Sequence, residues 1–348
     1  MIVAVFGTPT ALTYVGCAIV KTIAESVSGP HHQIAAVLTD DLRKAWSDLP
    51  ADKRKQIVIV SDLPSSPLLD LVRSSRAPTI VFLDEFEEIV NQLVETRGMA
   101  LRSAVRHATQ VLCAIDQVRD EDALRILVRD SGHQLKALIA SLCEFFGLAA
   151  AAEVTGDVMT RLGYAASDTI SLRDHIGANV PQPVSPESIV ARSDGADRAM
   201  LKFMAKQYAQ VGTGAPVPQI AWPTSIFLQV NPPRDYLEGA TELVGPARIL
   251  SYGPYLHLPK GNWTVSVTIE VAENFSGNRL LVDVAAISVL AAGETPLPVS
   301  GDFGLDLSFE ILDPFVAVEV RCQILSGAIE GKLALRDVVF RRTPKSLE

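Results

Sequence analysis

The fold is decided by the segment Ile2-Val3-Ala4-Val5-Phe6-Gly7-Thr8-Pro9-Thr10-Ala11-Leu12-Thr13, in which an apolar run leads through a turn into a predicted helix over 10–26. A strand–turn–helix of this kind binds phosphate in α/β proteins, because the helix start presents free N–H groups and a positive dipole end. This turn contains one glycine and neither lysine nor arginine. We expect Gly7, Thr8, Pro9, Thr10 and Thr13 to be the anion- or nucleotide-binding residues; alternatively, Thr8 or Thr10 only caps the helix.

Four further apolar runs alternate with helical patterns as far as residue 165. These runs are nearly continuous in hydrophobic residues, as expected for strands covered on both faces. The alternation predicts an α/β domain over 1–165, with a parallel sheet between two layers of helices. Together with the first segment, the predicted strands are 2–6, 34–38, 57–60, 79–83 and 124–128.

The composition changes after this domain. A Pro/Gly-rich segment over 166–219, with Pro181, Pro183 and Pro186, predicts a linker that contains one helix over 195–211. From 220 to 342 the hydrophobic period becomes two: Trp263, Val265, Val267 and Ile269 alternate with polar residues, and two later runs repeat this pattern. Short alternating strands without helices between them predict an antiparallel β-sandwich of the jelly-roll type.

The composition also excludes classes of function. The chain has 348 residues, 48% of them hydrophobic, and a formal net charge of −9. Nucleic acid and anionic membranes bind concentrated Lys and Arg, so neither is an expected partner. Charges interrupt every apolar run before the roughly 20 residues that a membrane span needs. Four scattered cysteines and the lack of a secretory leader pattern predict a cytoplasmic protein with buried thiols and no metal site.

Residues 1–165 resemble the sulfotransferases, which share the fold of P-loop NTPases. Gly7, Pro9 and Thr13 match the loop with which that family binds the 5′-phosphosulfate of its donor. The segment from Val81 to Gln92 is similar to the element that binds the donor's 3′-phosphate, and the segment 124–148 is similar to a late strand–turn–helix that ends in Phe-Leu-Gly-Leu. The resemblance implies a group transferase that uses a 3′-phosphoadenosine nucleotide.

The charged contacts of that family are missing here. Asp84 occupies the position of a phosphate-binding arginine, and Gln92 occupies that of a serine. An aspartate repels the phosphate that an arginine would bind through two charge-assisted hydrogen bonds. We therefore expect a domain that keeps the scaffold with reduced or no catalysis and has no cofactor. An active sulfo- or other transferase stays open if arginines over 97–106 supply the anion contacts.

The second half contains candidate carbohydrate-binding residues. Residues 220–341 resemble the jelly-roll modules that accompany carbohydrate-active proteins, through the strand pattern and the run Gly-Pro-Tyr…Leu-Pro-x-Gly-x-Trp. Within it, Leu256 and Leu258 alternate with Tyr255 and His257, so we expect the latter pair to face outward. Aromatic rings stack on the C–H faces of sugars. The candidates are Tyr252, Tyr255, His257 and Trp222.

Taken together, the sequence predicts a cytoplasmic protein of bacterial glycan metabolism that binds a glycan or oligosaccharide and is non-catalytic or catalytically reduced. Two alternatives stay open. One is an active transferase, and a 3′-phosphoadenosine nucleotide is expected as a cofactor only under this alternative. The other is a structural protein in which both domains serve homo-oligomerisation. The residues that would catalyse a reaction are not identified by the sequence.

Overall fold

The protein is described by a computed structural model that covers residues 1–118, 123–127, 132, 134–180, 189, 193–230 and 235–343. The chain forms two compact units. The first contains Met1–Ala100, Ala114–Arg192 and Gly212–Gly214, and the second contains Leu101–Cys113, Ser193–Val211 and Ala215–Glu348. Part of the segment that resembles the late sulfotransferase element, residues 128–131, and the linker prolines 181, 183 and 186 lie outside the described residues.

Strands and helices alternate through the first part of the chain. In chain order the elements are β1 (Ile2–Gly7), α1 (Ala11–Ser28), β2 (His32–Ala35), α2 (Thr39–Asp48), β3 (Ile57–Ser61), α3 (Ser66–Ser75), β4 (Thr79–Leu83), α4 (Phe86–Arg97), α5 (Leu101–Ile115), β5 (Ala123–Leu127), α6 (Leu135–Phe145), α7 (Ala151–Arg161) and α8 (Leu172–Asn179). The five strands form one parallel sheet in the order β2-β3-β1-β4-β5.

One hydrophobic cluster of the first unit lies between this sheet and a layer of helices. Buried side chains of α1, α6, α7 and α8 pack together with those of β1, β4 and β5. Every residue of β4 and most of β1 and β3 are buried, which explains the continuous apolar runs. The α/β part of the predicted fold is therefore confirmed.

Helix α1 approaches β4 very closely, and two glycines permit this. A Cβ atom on Gly16 would lie 2.3 Å from the ring of Phe82, and one on Gly7 would lie 2.4 Å from Thr13 Oγ1 and 2.7 Å from the backbone oxygen of Phe82. Phe82 itself is fully buried. Any larger residue at either glycine would therefore push the helix away from the sheet.

The second part of the chain contains one more helix and then strands. The elements are α9 (Gly195–Tyr208), β6 (Gln219–Trp222), β7 (Leu228–Gln229), β8 (Ala240–Glu242), β9 (Arg248–Tyr252), β10 (Pro254–Leu256), β11 (Gly261–Ala272), β12 (Arg279–Ala285), β13 (Val289–Pro296), β14 (Gly301–Ile311), β15 (Val318–Ile324) and β16 (Lys332–Arg342). The pairings within the sheets are antiparallel.

These strands form the two sheets of a sandwich. One has the order β13-β12-β15-β9-β7, with β10 also pairing with β15; the other has the order β14-β11-β16-β6, with β8 also pairing with β16. Along β11, Trp263, Val265, Val267, Ile269 and Val271 are buried, and the residues between them are half-buried. The period-two pattern therefore predicted both the strand and its inward face, and the β-sandwich prediction is confirmed.

The structure differs from the sequence-based prediction at several helices. Helix α2 was not predicted, and α8 lies in the segment predicted to be a linker, where the hydroxyl of Ser171 caps it by accepting the backbone N–H of Asp174 at 3.0 Å. The predicted first domain included α5, but Leu101–Cys113 belongs to the second unit. Within the described residues, no helix combines the length and the apolarity that crossing a bilayer requires.

The packing of α1 on Phe82 can be tested with two glycine-to-alanine variants. Gly16→Ala adds a methyl group where no space exists, and we expect it to lower the free energy of unfolding by about 1–3 kcal/mol. Gly156→Ala, in α7, adds one where nothing lies within 4 Å, and we expect it to be neutral or to stabilise by up to about 1 kcal/mol. Chemical denaturation measures both, and equal effects of the two variants would contradict the packing described here.

Candidate functional site

A cavity of about 830 Å³ opens at the carboxyl edge of the parallel sheet in the first unit. It lies beyond the ends of β1, β2 and β3, and residues of α1, α4 and α8 complete its walls. In the strand order β2-β3-β1-β4-β5, the connection from β1 to β2 runs toward one edge of the sheet, and the connection from β3 to β4 runs toward the opposite edge. Open α/β sheets bind ligands at such points, outside the carboxyl ends of the strands. The cavity is therefore the candidate ligand site of this unit.

The turn between β1 and α1 supplies four of the five residues that were predicted to bind an anion. Thr8, Pro9, Thr10 and Thr13 line the cavity, whereas Gly7 is buried before them. The hydroxyl of Thr8 accepts the backbone N–H of Asp84 at 3.1 Å and lies 3.4 Å from the hydroxyl of Thr10. The hydroxyls of Thr8 and Thr10 are therefore already engaged inside the protein.

The first turn of α1 has free hydrogen-bond donors. Thr10 occupies the capping position, but its side chain makes no capping hydrogen bond, so the expectation that a threonine caps this helix is wrong. Among the described residues, no acceptor receives the backbone N–H groups of Ala11, Leu12 or Thr13. The missing cap therefore leaves these donors available, as the phosphate-loop geometry predicted.

Two carboxyl groups lie next to this turn, and the pKa of each is raised. Asp84 follows β4 directly; its carboxyl group accepts the hydroxyl of Thr10 and, at 2.9 Å, the backbone N–H of Glu85. Burial raises the pKa of Asp84 to about 6 despite these hydrogen bonds. Burial, and then the neighbouring Asp84, raises the pKa of Glu88 in the first turn of α4 to about 7. The family comparison placed Asp84 beside the turn, and the structure brings them into contact.

Charged residues in the cavity wall are compensated within the protein. Arg97 donates to a carboxylate oxygen of Asp62 at 2.6 Å, and both residues line the cavity. Lys21 lies 3.6 Å from Glu25. Asp41 accepts the backbone N–H groups of Val37 and Leu38 at 3.1 and 2.8 Å. The wall therefore presents paired charges and not a concentrated positive charge.

The arginines over 97–106 do not form an anion site. Helix α4 ends at Arg97 and α5 begins at Leu101, so one helix does not carry all of them. In the second unit, Arg102 is paired with Asp197 at 2.9 Å, and its guanidinium lies 3.4 Å from the ring centre of Tyr236. Arg106 donates to the backbone oxygen of Pro254 at 2.8 Å. These contacts engage Arg102 and Arg106 within the second unit and do not favour the alternative in which the arginines over 97–106 supply the anion contacts.

Sequence reasoning missed several residues of the cavity. Tyr14, Gln33, Asp62 and Asn179 line it, and none was a candidate. A usable signal existed for Asp62, because polar residues that directly follow a buried parallel strand lie at the edge where ligands bind. No comparable signal existed for Asn179, because it ends a helix in the segment predicted to be a linker.

The second unit holds a pair of tyrosines on two consecutive strands that both pair with β15. Tyr252 ends β9 and Tyr255 lies in β10, with ring centres 6.3 Å apart and an edge-to-face angle of 73°. Both side chains are half-buried. The guanidinium of Arg106 lies 5.7 Å from the ring centre of Tyr255. Tyr255 has a backbone φ of +66°, a conformation that side chains with a Cβ rarely adopt, so the chain holds this ring in an unusual position.

A row of polar side chains continues from Tyr255 across the sheet. The Tyr255 hydroxyl is hydrogen-bonded to Glu319, and burial followed by the charge of Glu319 raises the pKa of Tyr255 to about 12. Arg321 lies 3.6 Å from Glu319 and donates to Asp283 at 2.7 Å. The network joins β15 to β12, because Asp283 and Arg321 are opposite each other in the register of these strands.

The other two candidate carbohydrate-binding residues are buried. His257 is 6% exposed, and its Nδ1 lies 3.3 Å from the hydroxyl of Thr109 in α5. Trp222 is 2% exposed and donates its indole N–H to the hydroxyl of Tyr208 at 3.2 Å. The expectation that His257 faces outward is wrong, because α5 covers that side of the strand. Neither ring offers a surface to a sugar in this structure.

The described part of the chain contains no group of three or more His, Cys, Asp or Glu residues that could hold a metal ion. All four cysteines are free and buried, as predicted.

No protein-family model and no curated protein match this chain. Among solved structures, a xylan-binding module CBM15 is 10% identical, with a TM-score of 0.25, over 37% of this chain and 98% of that module. The C-terminal CBM6 of the laminarinase LamC from Zobellia galactanivorans is 13% identical, with a TM-score of 0.19, over 30% of this chain and 99% of that one. A GH115 4-O-methyl-α-glucuronidase, BtGH115A, is 12% identical, with a TM-score of 0.24, over 90% of this chain and 50% of that one. Values this low carry no argument about function.

The buried carboxyl group of Asp84 predicts a pH dependence of stability. Burial raises its pKa from the ordinary value of 3.8 to about 6 in the folded protein, so the folded state keeps the proton to a higher pH than the unfolded chain does. Its contribution to the free energy of unfolding should fall as pH rises from about 4 to about 6, by up to roughly 3 kcal/mol. In Asp84→Asn this fall should disappear, and the variant should be the more stable protein at pH 7. Denaturation at several pH values measures this; parallel profiles would contradict it.

His257 predicts a dependence of the opposite sign. Burial lowers its pKa from 6.5 to about 4, so the unfolded chain takes up a proton that the folded state excludes. Stability should therefore fall as pH drops from about 6.5 to about 4, by up to roughly 3 kcal/mol. His257→Gln should flatten this part of the profile in the same experiment. A histidine variant that keeps the full acid-side loss would show that His257 does not cause it.

Proposed function

We propose that this protein is a non-catalytic, glycan-associated binding protein whose β-sandwich binds an oligosaccharide across Tyr252 and Tyr255. The observation that carries the proposal is the pair of half-buried tyrosine rings, fixed edge to face beside the polar row of Glu319, Arg321 and Asp283. A sugar ring needs an aromatic surface for its C–H faces and polar groups for its hydroxyls. Rings held in place before binding lose little conformational freedom when the sugar arrives.

The proposal that the protein is non-catalytic rests on the charged groups of the first unit. Transfer of a sulfo group from a 3′-phosphoadenosine nucleotide needs positively charged protein groups that stabilise the negative charge of the transferring group. At the turn of the first unit, the carboxyl group of Asp84 accepts the hydroxyl of Thr10 and is close enough to Glu88 to raise its pKa, and Arg97 in the cavity wall is paired with Asp62. These groups disfavour an anionic donor. The likeness to sulfotransferases therefore concerns the scaffold, and we propose no cofactor.

Binding to polysaccharides tests the sandwich proposal. The full chain should be retarded in gels that contain at least one polysaccharide from a panel of neutral and acidic types. Tyr252→Ala/Tyr255→Ala should weaken binding by at least about tenfold, which corresponds to about 1.4 kcal/mol, because both stacking surfaces are lost. Titration calorimetry with the retained polysaccharide measures the affinity.

Two variants serve as controls. Tyr255→Phe keeps the ring and loses only the hydroxyl, so most of the binding should remain. Phe275→Ala removes an aromatic ring that is 71% exposed in another loop of the same unit and should leave binding unchanged. Equal binding by the wild type and the double variant would overturn the proposal, as would a wild type that binds none of the panel.

A further inference from the structure

We infer that the cavity in the first unit is a second binding site, which takes a small uncharged ligand with a hydroxylated ring, either a sugar or a nucleoside. This site goes beyond the proposed glycan surface, since it lies in the other unit and shares no residue with it. Its volume of about 830 Å³ lies within the range of about 300–1,000 Å³ that small-molecule sites occupy. The ligand class follows from the chemistry of the wall.

The wall of the cavity contains both apolar and polar groups. Cys17, Ala18, Val60 and Val180 contribute apolar surface, whereas the β1–α1 turn and α4 contribute polar groups. A ligand that fills the space must therefore present a hydrophobic face and hydrogen-bonding groups together. A sugar ring has C–H faces and equatorial hydroxyls, and a nucleoside has a flat base and a ribose.

The hydrogen-bonding groups of the cavity call for a ligand that both donates and accepts. At the start of α1, the N–H groups of Ala11 and Thr13 have no acceptor among the described residues. On α4, Gln92 Oε1 is buried and has no donor within the described part of the chain. A hydroxyl group can satisfy both kinds of group, because it donates one hydrogen bond and accepts two. A fully ionised phosphate or sulfate only accepts, so it would leave Gln92 Oε1 unpaired.

The charges of the cavity favour a neutral ligand. Its four charged wall residues are Lys21, Asp41, Asp62 and Arg97, which sum to zero. The single ion pair that joins two of them, Arg97–Asp62, already satisfies the guanidinium. Asp84 lies directly behind Thr8 and Thr10, where its carboxyl group opposes an anion at the helix start. An anion would therefore have to break an ion pair or approach a carboxylate.

An aromatic ring stands at the opening of the cavity. Tyr14 lines the cavity and is 70% exposed, although it lies in an otherwise buried part of α1. An exposed tyrosine at the mouth of a polar cavity can stack on a sugar or on a base. The ring of Tyr14 and the hydrogen-bonding groups of the cavity therefore favour the same class of ligand.

Titration calorimetry on the full chain tests the inference. The probes are a panel of neutral mono- and disaccharides, adenosine as the nucleoside, and 3′-phosphoadenosine 5′-phosphate and inorganic sulfate as the anions. We expect one saturable site for at least one neutral probe and weaker binding of both anions. Saccharide binding with no adenosine binding identifies a sugar site, and the reverse identifies a nucleoside site.

Variants place the binding in this cavity. Ala18→Trp fills the cavity from an exposed position of α1 and should weaken binding at least about tenfold, as should Gln92→Leu. Leu71→Trp adds the same ring at an exposed position of α3 that does not line the cavity, and it should change nothing. Tyr252→Ala/Tyr255→Ala should also bind the neutral probe as the wild type does, so failure here and failure of the proposed glycan surface are separate results.

Three outcomes would overturn the inference. In the first, no neutral probe binds to the wild type. In the second, a neutral probe binds equally well to the wild type and to Ala18→Trp while Leu71→Trp retains its melting temperature. In the third, 3′-phosphoadenosine 5′-phosphate or sulfate binds more tightly than every neutral probe, which would restore the anion site that the turn geometry suggests.

Discussion

The close contact between α1 and β4 is the constraint on which the first unit depends. Phe82 fills the space beneath the helix, and only glycine at positions 7 and 16 leaves room for the approach. This contact holds the start of α1 at the carboxyl edge of β1, so its free N–H groups face the space above the sheet. Had the helix been lifted by a side chain at Gly16, the β1–α1 turn would not form a wall of the cavity. A packing requirement therefore creates the site before any chemistry is considered.

The charges next to the turn then decide what such a site can hold. A helix start that lacks a cap favours an anion, but this chain places the carboxyl group of Asp84 against the same turn and buries it. The cost of burial appears as a raised pKa, and Glu88 nearby shows the same effect. Arg97 does not compensate, because Asp62 holds it. The uncapped helix start thus offers N–H groups to an anion, whereas the carboxyl group beside it opposes one.

The sequence predicted the two kinds of sheet because burial on both faces and burial on one face leave different patterns. For this reason, the continuous apolar run of β4, Thr79–Leu83, and the alternating pattern of β11 could both be recognised in the sequence. It did not predict where α5 packs. Periodicity shows that a helix has an apolar side, but not which sheet covers it. The contacts of Arg106 with Pro254 and of Thr109 with His257 join residues 148 positions apart, and no local pattern encodes them. For that reason His257 was assigned to the wrong face.

The candidate sites show the same limit of sequence-based prediction. The turn over 7–13 and its proximity to Asp84 were predictable, because the resemblance to sulfotransferases assigned both segments to the binding of one donor. The neutrality of the cavity was not predictable, because it depends on which acidic residue pairs with which basic residue. Asp62 forms an ion pair with Arg97 although 35 positions separate them. In the sandwich, Tyr252 and Tyr255 remain surface candidates only because Glu319 and Arg106 hold Tyr255 in place. Residue types alone suggested an anion at the turn and a sugar at the tyrosines, whereas the charge of each surface depends on how those residues are paired.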